Sequence, residues 1–350
     1  DLPKEYRRQR QMCIRDRLIY KLRKGVFCMA KVYIAGPIPQ VGLDILEKNN
    51  IEVDMYDGPG VVDQETLKNG VKDADALISI LSTNVDKDVI AAGENLKVIA
   101  NYGAGFNNVD IEYAESKGIY VTNTPGVSTR STAELTFALV LAVARRIAEG
   151  DQLSRTKGFD GWAPLFFRGR EVSGKTIGIF GLGNIGYAVA KHAKAFDMDI
   201  LYTGPHRKED KEKELGAKYV DFDTLLKESD FITINAAYKP ELHHLFDTEQ
   251  FKQMKPTAYL VNAARGPIVN EQALADALKD KVIEGAALDV YEFEPKITED
   301  LKSLDNVVIT PHIGNATFEA RDGMAEIVAN NTVDVLKDNK APQYVVNNVK

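Results

Sequence analysis

Three segments in the second half of the chain each close an apolar run with residues that can handle charge. They are Asn262-Ala263-Ala264-Arg265-Gly266, Asp289-Val290-Tyr291-Glu292-Phe293-Glu294-Pro295 and Pro311-His312-Ile313-Gly314. A guanidinium grips a carboxylate through parallel N–H bonds and can polarise the carbonyl next to it. An imidazolium gives a proton to an oxygen that is becoming an alkoxide. A carboxylate beside the ring orients it and favours its charged form. Arg265, Glu294 and His312 are therefore a workable set for reducing a 2-oxo acid, with Arg265 and His312 also touching the substrate. Singly, each would more often be a surface ion pair or a satisfied polar group; together at strand ends, they point to chemistry.

Such a reduction needs a hydride source, and Gly181-Leu182-Gly183-Asn184-Ile185-Gly186 points to one. This G-x-G-x-x-G follows an apolar strand and opens a helix, where free N–H groups and the positive dipole end face a pyrophosphate. An acid about 20 residues on normally holds the ribose 2′-OH. Here the second strand ends Tyr202-Thr203-Gly204 and continues Pro205-His206-Arg207-Lys208, with no acid. Gly204, His206 and Arg207 then become the cofactor contacts. Without a repelling carboxylate, Arg207 can hold a 2′-phosphate, so NADP is expected ahead of NAD. Ala263 and Gly314, beside the charged residues at the strand ends, complete the expected surroundings of the nicotinamide.

Two other patterns carry less. Residues Gly169 to Thr176 match G-x-x-x-x-G-K-T, but Lys175-Thr176 leads into a strand and not a helix, so a phosphate loop is not expected. His243 and His244 are adjacent; on an extended strand they would point to opposite faces, and no third ligand has suitable spacing, so no metal is expected.

The elements that must position these residues alternate. From Met29, strands are expected at Lys31–Gly36, Ile51–Tyr56, 76–81, Leu96–Tyr102 and Ile119–Thr122, with helices between them. A long apolar helix follows, capped by Ser131 and Glu134 as S-x-x-E and running to about Ile147. A loop over Gly158–Gly174 carries the only tryptophan, Trp162. A second alternation begins at Thr176, and a helix over Thr317–Leu336 closes the chain. Such alternation implies parallel sheets covered by helices on both faces.

At 350 residues the chain suits two domains. Residues 1–28 hold nine Lys/Arg against three Asp/Glu, so with −7 overall the rest carries −13. An acidic body disfavours nucleic-acid partners, and no apolar run is long enough to span a membrane. Both cysteines, Cys13 and Cys28, fall in that leader, so the body fits the reducing cytoplasm. The leader has neither an apolar h-region nor a small-residue cleavage site. It is expected to be non-native or disordered, with Met29 as the start.

From Met29 onward the chain resembles the D-2-hydroxyacid dehydrogenase family, most closely its glyoxylate/hydroxypyruvate reductase branch. The resemblance is carried by Asn101-Tyr-Gly-Ala-Gly-Phe106, Asn123-Thr-Pro-Gly126, the glycine motif, and the Arg, Glu and His segments in order. It implies an α/β fold of two Rossmann-like domains with parallel sheets, the cofactor domain (128–314) inserted into the substrate domain (29–127 and 315–350). It also implies that Arg265, Glu294 and His312 are catalytic and that Asp289 is a supporting acid near the nicotinamide. Gly103, Ala104 and Gly105 would offer N–H groups to the substrate carboxylate, with Leu81 and Ser82 nearby. Trp162 would reach into a neighbouring subunit's site, and the helix from Ser131 would mediate a homodimer. Asn235 and Ala236 would touch the cofactor, although Asn235-Ala-Ala237 departs from the family's usual His-Val-Pro. Glycerate and phosphoglycerate dehydrogenases stay open as alternatives, and a dinucleotide-sensing corepressor as a distant one.

Overall fold

A computed structural model describes residues 29–349. The expectation for the leader, with its two cysteines, lies outside them. The chain divides into two compact units, one formed by residues 29–124 and 325–349 and the other by 125–324.

The first unit is built on β1 (Lys31–Ile34), β2 (Glu52–Met55), β3 (Ala76–Ile80), β4 (Val98–Tyr102) and β5 (Tyr120–Thr122), in the order β2-β1-β3-β4-β5. Every pairing is parallel. Alternate side chains sort to the two faces. Val32, Ile34, Ile78 and Val98 pack with Val328, Ala329 and Val333 of the helix Phe318–Leu336. Tyr33, Leu77 and Ile99 pack with Leu67 and Val89 from the helices Gln64–Val71 and Lys87–Ala92. Burial on both faces is why the inner strands β1, β3 and β4 read as largely apolar runs, whereas the edge strand β2 carries Glu52 and Asp54 and is half-buried throughout. Each fully buried Ile or Leu contributes about 1.5–3 kcal/mol of transfer free energy.

The second unit holds β6 (Thr176–Phe180), β7 (Asp199–Thr203), β8 (Lys218–Tyr219), β9 (Phe231–Ile234), β10 (Tyr259–Asn262), β11 (Gly285–Leu288) and β12 (Val307–Ile309). Their order is β12-β11-β10-β9-β6-β7-β8, again all parallel. Chain order therefore reverses between β6 and β9. In open parallel sheets that reversal opens a crevice at the carboxyl ends of the strands, where ligands bind. Ile177, Ile179 and Val261 face the helix Thr129–Ala144, while Ile232, Leu260 and Leu288 face the core on the other side.

Several local expectations change. The long helix begins at Thr129 behind Ser128, so Ser131 lies in its first turn and donates its hydroxyl to the Ser128 carbonyl. The S-x-x-E pattern is not a cap here. The helix stops at Ala144, because Arg146 turns left-handed (φ 55°) and a second helix, Ile147–Thr156, starts behind it. Thr176 opens β6, so the G-x-x-x-x-G-K-T stretch precedes a strand, as its context suggested. Among the described residues no helix is long and apolar enough to cross a membrane.

Candidate active site

The glycine motif sits at the β6/β9 reversal. Gly181 has φ 98°, and a Cβ there would stand 2.9 Å from the Ala236 amide nitrogen. A Cβ at Gly186 would lie 2.1 Å from the Gly181 carbonyl oxygen. Neither position admits a side chain, so the helix Asn184–Ala195 can press against the end of β6. Around Gly183 the space is open, with nothing within 4 Å of a Cβ. Gly183 is also the helix N-cap and offers no side chain to take up the first N–H groups. Open space beside unclaimed donors fits a pyrophosphate. Leu182 is buried in the core, so only its backbone faces this space; Asn184 and Ile185 form the first turn. Asn235 and Ala236 complete the crevice, the Asn235 N–H bonding to the Phe180 carbonyl at 2.8 Å.

Beyond β7 the structure adds a residue that sequence spacing did not reveal. The Arg207 guanidinium donates two 2.8 Å bonds to the carboxylate of Glu212, which also accepts the Tyr202 hydroxyl at 2.6 Å. Those bonds, Arg207's first and then Tyr202's, hold the Glu212 carboxyl down at about 2. Desolvation and its bond to Glu212 push the Tyr202 hydroxyl up to about 12. Arg207 is thus tied along one edge by an acid where the sequence beside the strand end offers none. The acid arrives from the helix Glu209–Leu215 instead of the strand end, so a search by spacing passes over it. Gly204 lies at the turn, with its carbonyl bonded to the Tyr219 hydroxyl, and His206 is exposed.

The three charged segments stand on loops that follow β10, β11 and β12. Asn262, fully buried, accepts the Ala264 N–H and donates to the Arg265 carbonyl, each at 3.0 Å, and so pins the loop that carries Arg265. Ala263 beside it is buried. Burial pushes the Arg265 guanidinium down, and the charge of Glu294 opposes this. Glu294 accepts the Tyr291 N–H at 3.0 Å on one oxygen and meets His312 Nδ1 at 2.8 Å with the other. Burial alone would raise the Glu294 carboxyl. The bond and charge of His312, the Tyr291 N–H and Arg265 outweigh it and hold the group below its ordinary range. With Nδ1 engaged, Nε2 is the ring nitrogen left to exchange a proton.

His312 itself has φ 53°, a conformation non-glycine residues seldom adopt. Asp289 holds it there. Its carboxylate, 1% exposed, accepts the Thr310 hydroxyl (2.7 Å), the Ile313 N–H (2.8 Å) and the Gly314 N–H (2.8 Å). Both oxygens are committed to the loop that presents His312. Asp289→Asn turns one acceptor into a donor against N–H groups. It is expected to lower unfolding free energy by about 3 kcal/mol; an unchanged urea midpoint would contradict this account.

The residues expected to touch the substrate carboxylate belong to the other unit. Leu81 and Ser82 follow β3, and Gly103 to Gly105 follow β4; a Cβ on Gly103 would fall 2.2 Å from the Leu81 side chain. The Gly103 N–H is already given to the Asn101 carbonyl at 2.9 Å, which corrects the expectation that it serves a ligand. Asn101 and Asn123 hold the loop by its Gly105 and Ala104 carbonyls, leaving the Ala104 and Gly105 N–H groups as donors. Trp162 is 86% exposed on a segment with Phe159 and Leu165 also exposed.

His243 and His244 also depart from expectation. They do not point apart: His244 is left-handed (φ 52°), and the two rings stack with centroids 3.9 Å apart. Glu292 supplies the third group that spacing did not reveal, 2.7 Å from His244 Nε2.

A pyrophosphate cradle at the sheet reversal, beside a half-buried arginine and a carboxylate-backed imidazole, defines a nicotinamide-dependent oxidoreductase. Residues 137–314 match the NAD binding domain of the D-isomer specific 2-hydroxyacid dehydrogenases. A protein of Staphylococcus haemolyticus named provisionally as a 2-hydroxyacid dehydrogenase is 74% identical over 91% of this chain and 100% of its own length. The chain belongs to this family and is an oxidoreductase acting on the CH–OH group of 2-hydroxy acids. Among solved structures, a protein of Thermus thermophilus superposes with a TM-score of 0.86 at 38% identity, covering 90% of this chain and 99% of that one. An NADPH-dependent glyoxylate/hydroxypyruvate reductase of Sinorhizobium meliloti, solved with NADP and malonate, superposes with a TM-score of 0.76 at 27% identity, covering 91% and 96%.

Proposed function

We propose that this dehydrogenase reduces small 2-oxo acids, glyoxylate and hydroxypyruvate foremost, with NADPH. The observation that carries the reaction is the 2.8 Å contact of Glu294 with His312 Nδ1, on loops that follow neighbouring strands of the sheet whose β10 leads into half-buried Arg265. Bound reduced nicotinamide supplies the hydride. Arg265 grips the substrate carboxylate and draws electron density from the carbonyl oxygen. His312 gives its Nε2 proton to that oxygen as the hydride reaches carbon 2, and Glu294 balances the imidazolium. Asn235, Ala236, Ala263, Asp289 and Gly314 would hold the nicotinamide end, and the backbone of Gly181 to Gly186 would take the pyrophosphate. The resemblance to the Sinorhizobium enzyme supports the substrate class.

The NADPH reading rests on the end of β7, where Thr203-Gly204 present no carboxylate. The Glu212 tie leaves the Nη1 edge of Arg207 to meet a 2′-phosphate. Glu212 also gives NADH its one support, because its charge lies near the place a 2′-phosphate would occupy. Arg207→Ala is expected to raise KM for NADPH about tenfold and leave NADH nearly unchanged, the loss of one charge-assisted contact. Equal effects on both cofactors would favour NADH. The exposed Trp162 segment supports a homodimer that covers it, and the cysteine-free body suits the cytoplasm.

The test is loss of reduced-nicotinamide absorbance with glyoxylate, hydroxypyruvate and pyruvate, each against NADPH and NADH. Turnover of the first two with NADPH supports the proposal. Turnover confined to NADH sinks the cofactor part, and preference for pyruvate sinks the substrate part.

A further inference from the structure

On the loop that carries Glu294, and on the segment after β9, three side chains converge with nothing in the proposed reaction to explain them. His243 and His244 follow a short turn at Pro240–Leu242, and Glu292 stands on the loop after β11. The left-handed backbone of His244 brings its ring alongside that of His243, with the ring planes 19° apart. One nitrogen from each ring and one Glu292 oxygen lie within 4.8 Å of one another. We propose that His243, His244 and Glu292 bind one divalent cation of the zinc class, through two imidazole nitrogens and one carboxylate oxygen, with water in the remaining position.

The donor chemistry selects the ion. Neutral imidazoles with one carboxylate suit zinc, whose Zn–N and Zn–O bonds of about 2.0–2.2 Å place ligand atoms roughly 3.3 Å apart in a tetrahedron. The observed 2.7 Å between His244 Nε2 and Glu292 must open slightly to admit the ion, and the three ligand atoms, already within 4.8 Å of one another, must settle to that spacing. Calcium and magnesium, which take oxygen ligands, are disfavoured. One side of the site is anchored. The Glu292 N–H is bonded to the carboxylate of Glu271, itself 2% exposed, and the His244 N–H donates to the Pro267 carbonyl at 2.9 Å. The other side is open: the Glu292 side chain is 10% exposed, that of His244 30%, and His243 is exposed. Fixed ligands with one open flank leave an entry path and room for water. A cation there would fasten the loop after β9 to the loop that carries Glu294.

The full-length protein is titrated with Zn²⁺ alone, at neutral pH, in competition with a chromophoric chelator. One site of about micromolar affinity is expected, with His243→Ala, His244→Ala and Glu292→Gln each weakening it at least tenfold and His206→Ala leaving it unchanged. His243 is exposed, so its variant is expected to fold as the parent does and keeps the result readable. Co²⁺ in place of Zn²⁺ should give d–d bands without thiolate charge transfer. Unaltered affinity in both histidine variants, or a thiolate band that places the ion on Cys13 or Cys28, overturns the site.

Discussion

Replacing His312 with alanine is expected to lower kcat for 2-oxo acid reduction by about 10²–10⁴-fold, the usual contribution of a positioned general acid. NADPH affinity should stay close to that of the parent, since Gly181 to Gly186 are untouched. Loss of cofactor binding in equal measure would show that the variant disturbs the Asp289-held loop instead of the chemistry. The pH profile separates the partners. The Glu294 carboxyl is held below its ordinary range, so its support of the imidazolium is complete above the usual glutamate pKa of about 4.3. That support is lost only as pH falls through the lower, folded value. Acid therefore has little effect on kcat/KM until below about pH 4. Glu294→Gln removes the counter-charge to the imidazolium and should lower kcat/KM at neutral pH and abolish the acid limb. A profile identical to the parent's would remove Glu294 from the mechanism.

Arg265→Ala is expected to cost about 10³-fold in kcat/KM, near 4 kcal/mol, because it removes a largely desolvated cation from its carboxylate ligand. The division of that loss is informative. A carboxylate grip alone raises KM with kcat unchanged, whereas polarising the carbonyl as well lowers kcat too. The second outcome is expected. Arg265→Lys keeps the charge but not the planar fork, and should remain about 10²-fold below the parent. A lysine variant close to the parent would mean that charge alone suffices and that the two-point grip is wrong.

The parts of the fold legible in the sequence are those set by short-range chemistry. Gly181 and Gly186 declare themselves because no other residue fits those close approaches. The alternating runs declare the strands because burial on both faces leaves few polar residues within them. Arg265, Glu294 and His312 are each legible as strand-end residues. What escaped detection depends on pairs that are distant in sequence or on a single unusual dihedral. Glu271 anchors the loop after β11 through Thr298, 27 residues away, and nothing local signals it. Glu212 partners Arg207 from the next helix. The two histidines stack instead of pointing apart because one left-handed residue, His244, bends the chain where an extended strand would separate them. Ser131 fits the capping pattern but falls within the first turn of the helix, three residues past the N-cap Ser128.

The division of the first unit into 29–124 and 325–349 has a consequence for the order in which the protein is made. Val32, Ile34, Ile78 and Val98 find Val328, Ala329 and Val333 only after residues 125–324 have been added. At synthesis rates of about 5–20 residues per second, those 200 residues take roughly 10–40 s. During that interval one apolar sheet face lacks its native cover on the ribosome, while the intervening unit has its entire sequence in hand and can fold first. The newborn chain is thus most exposed to aggregation and to chaperone capture in the unit that was begun first.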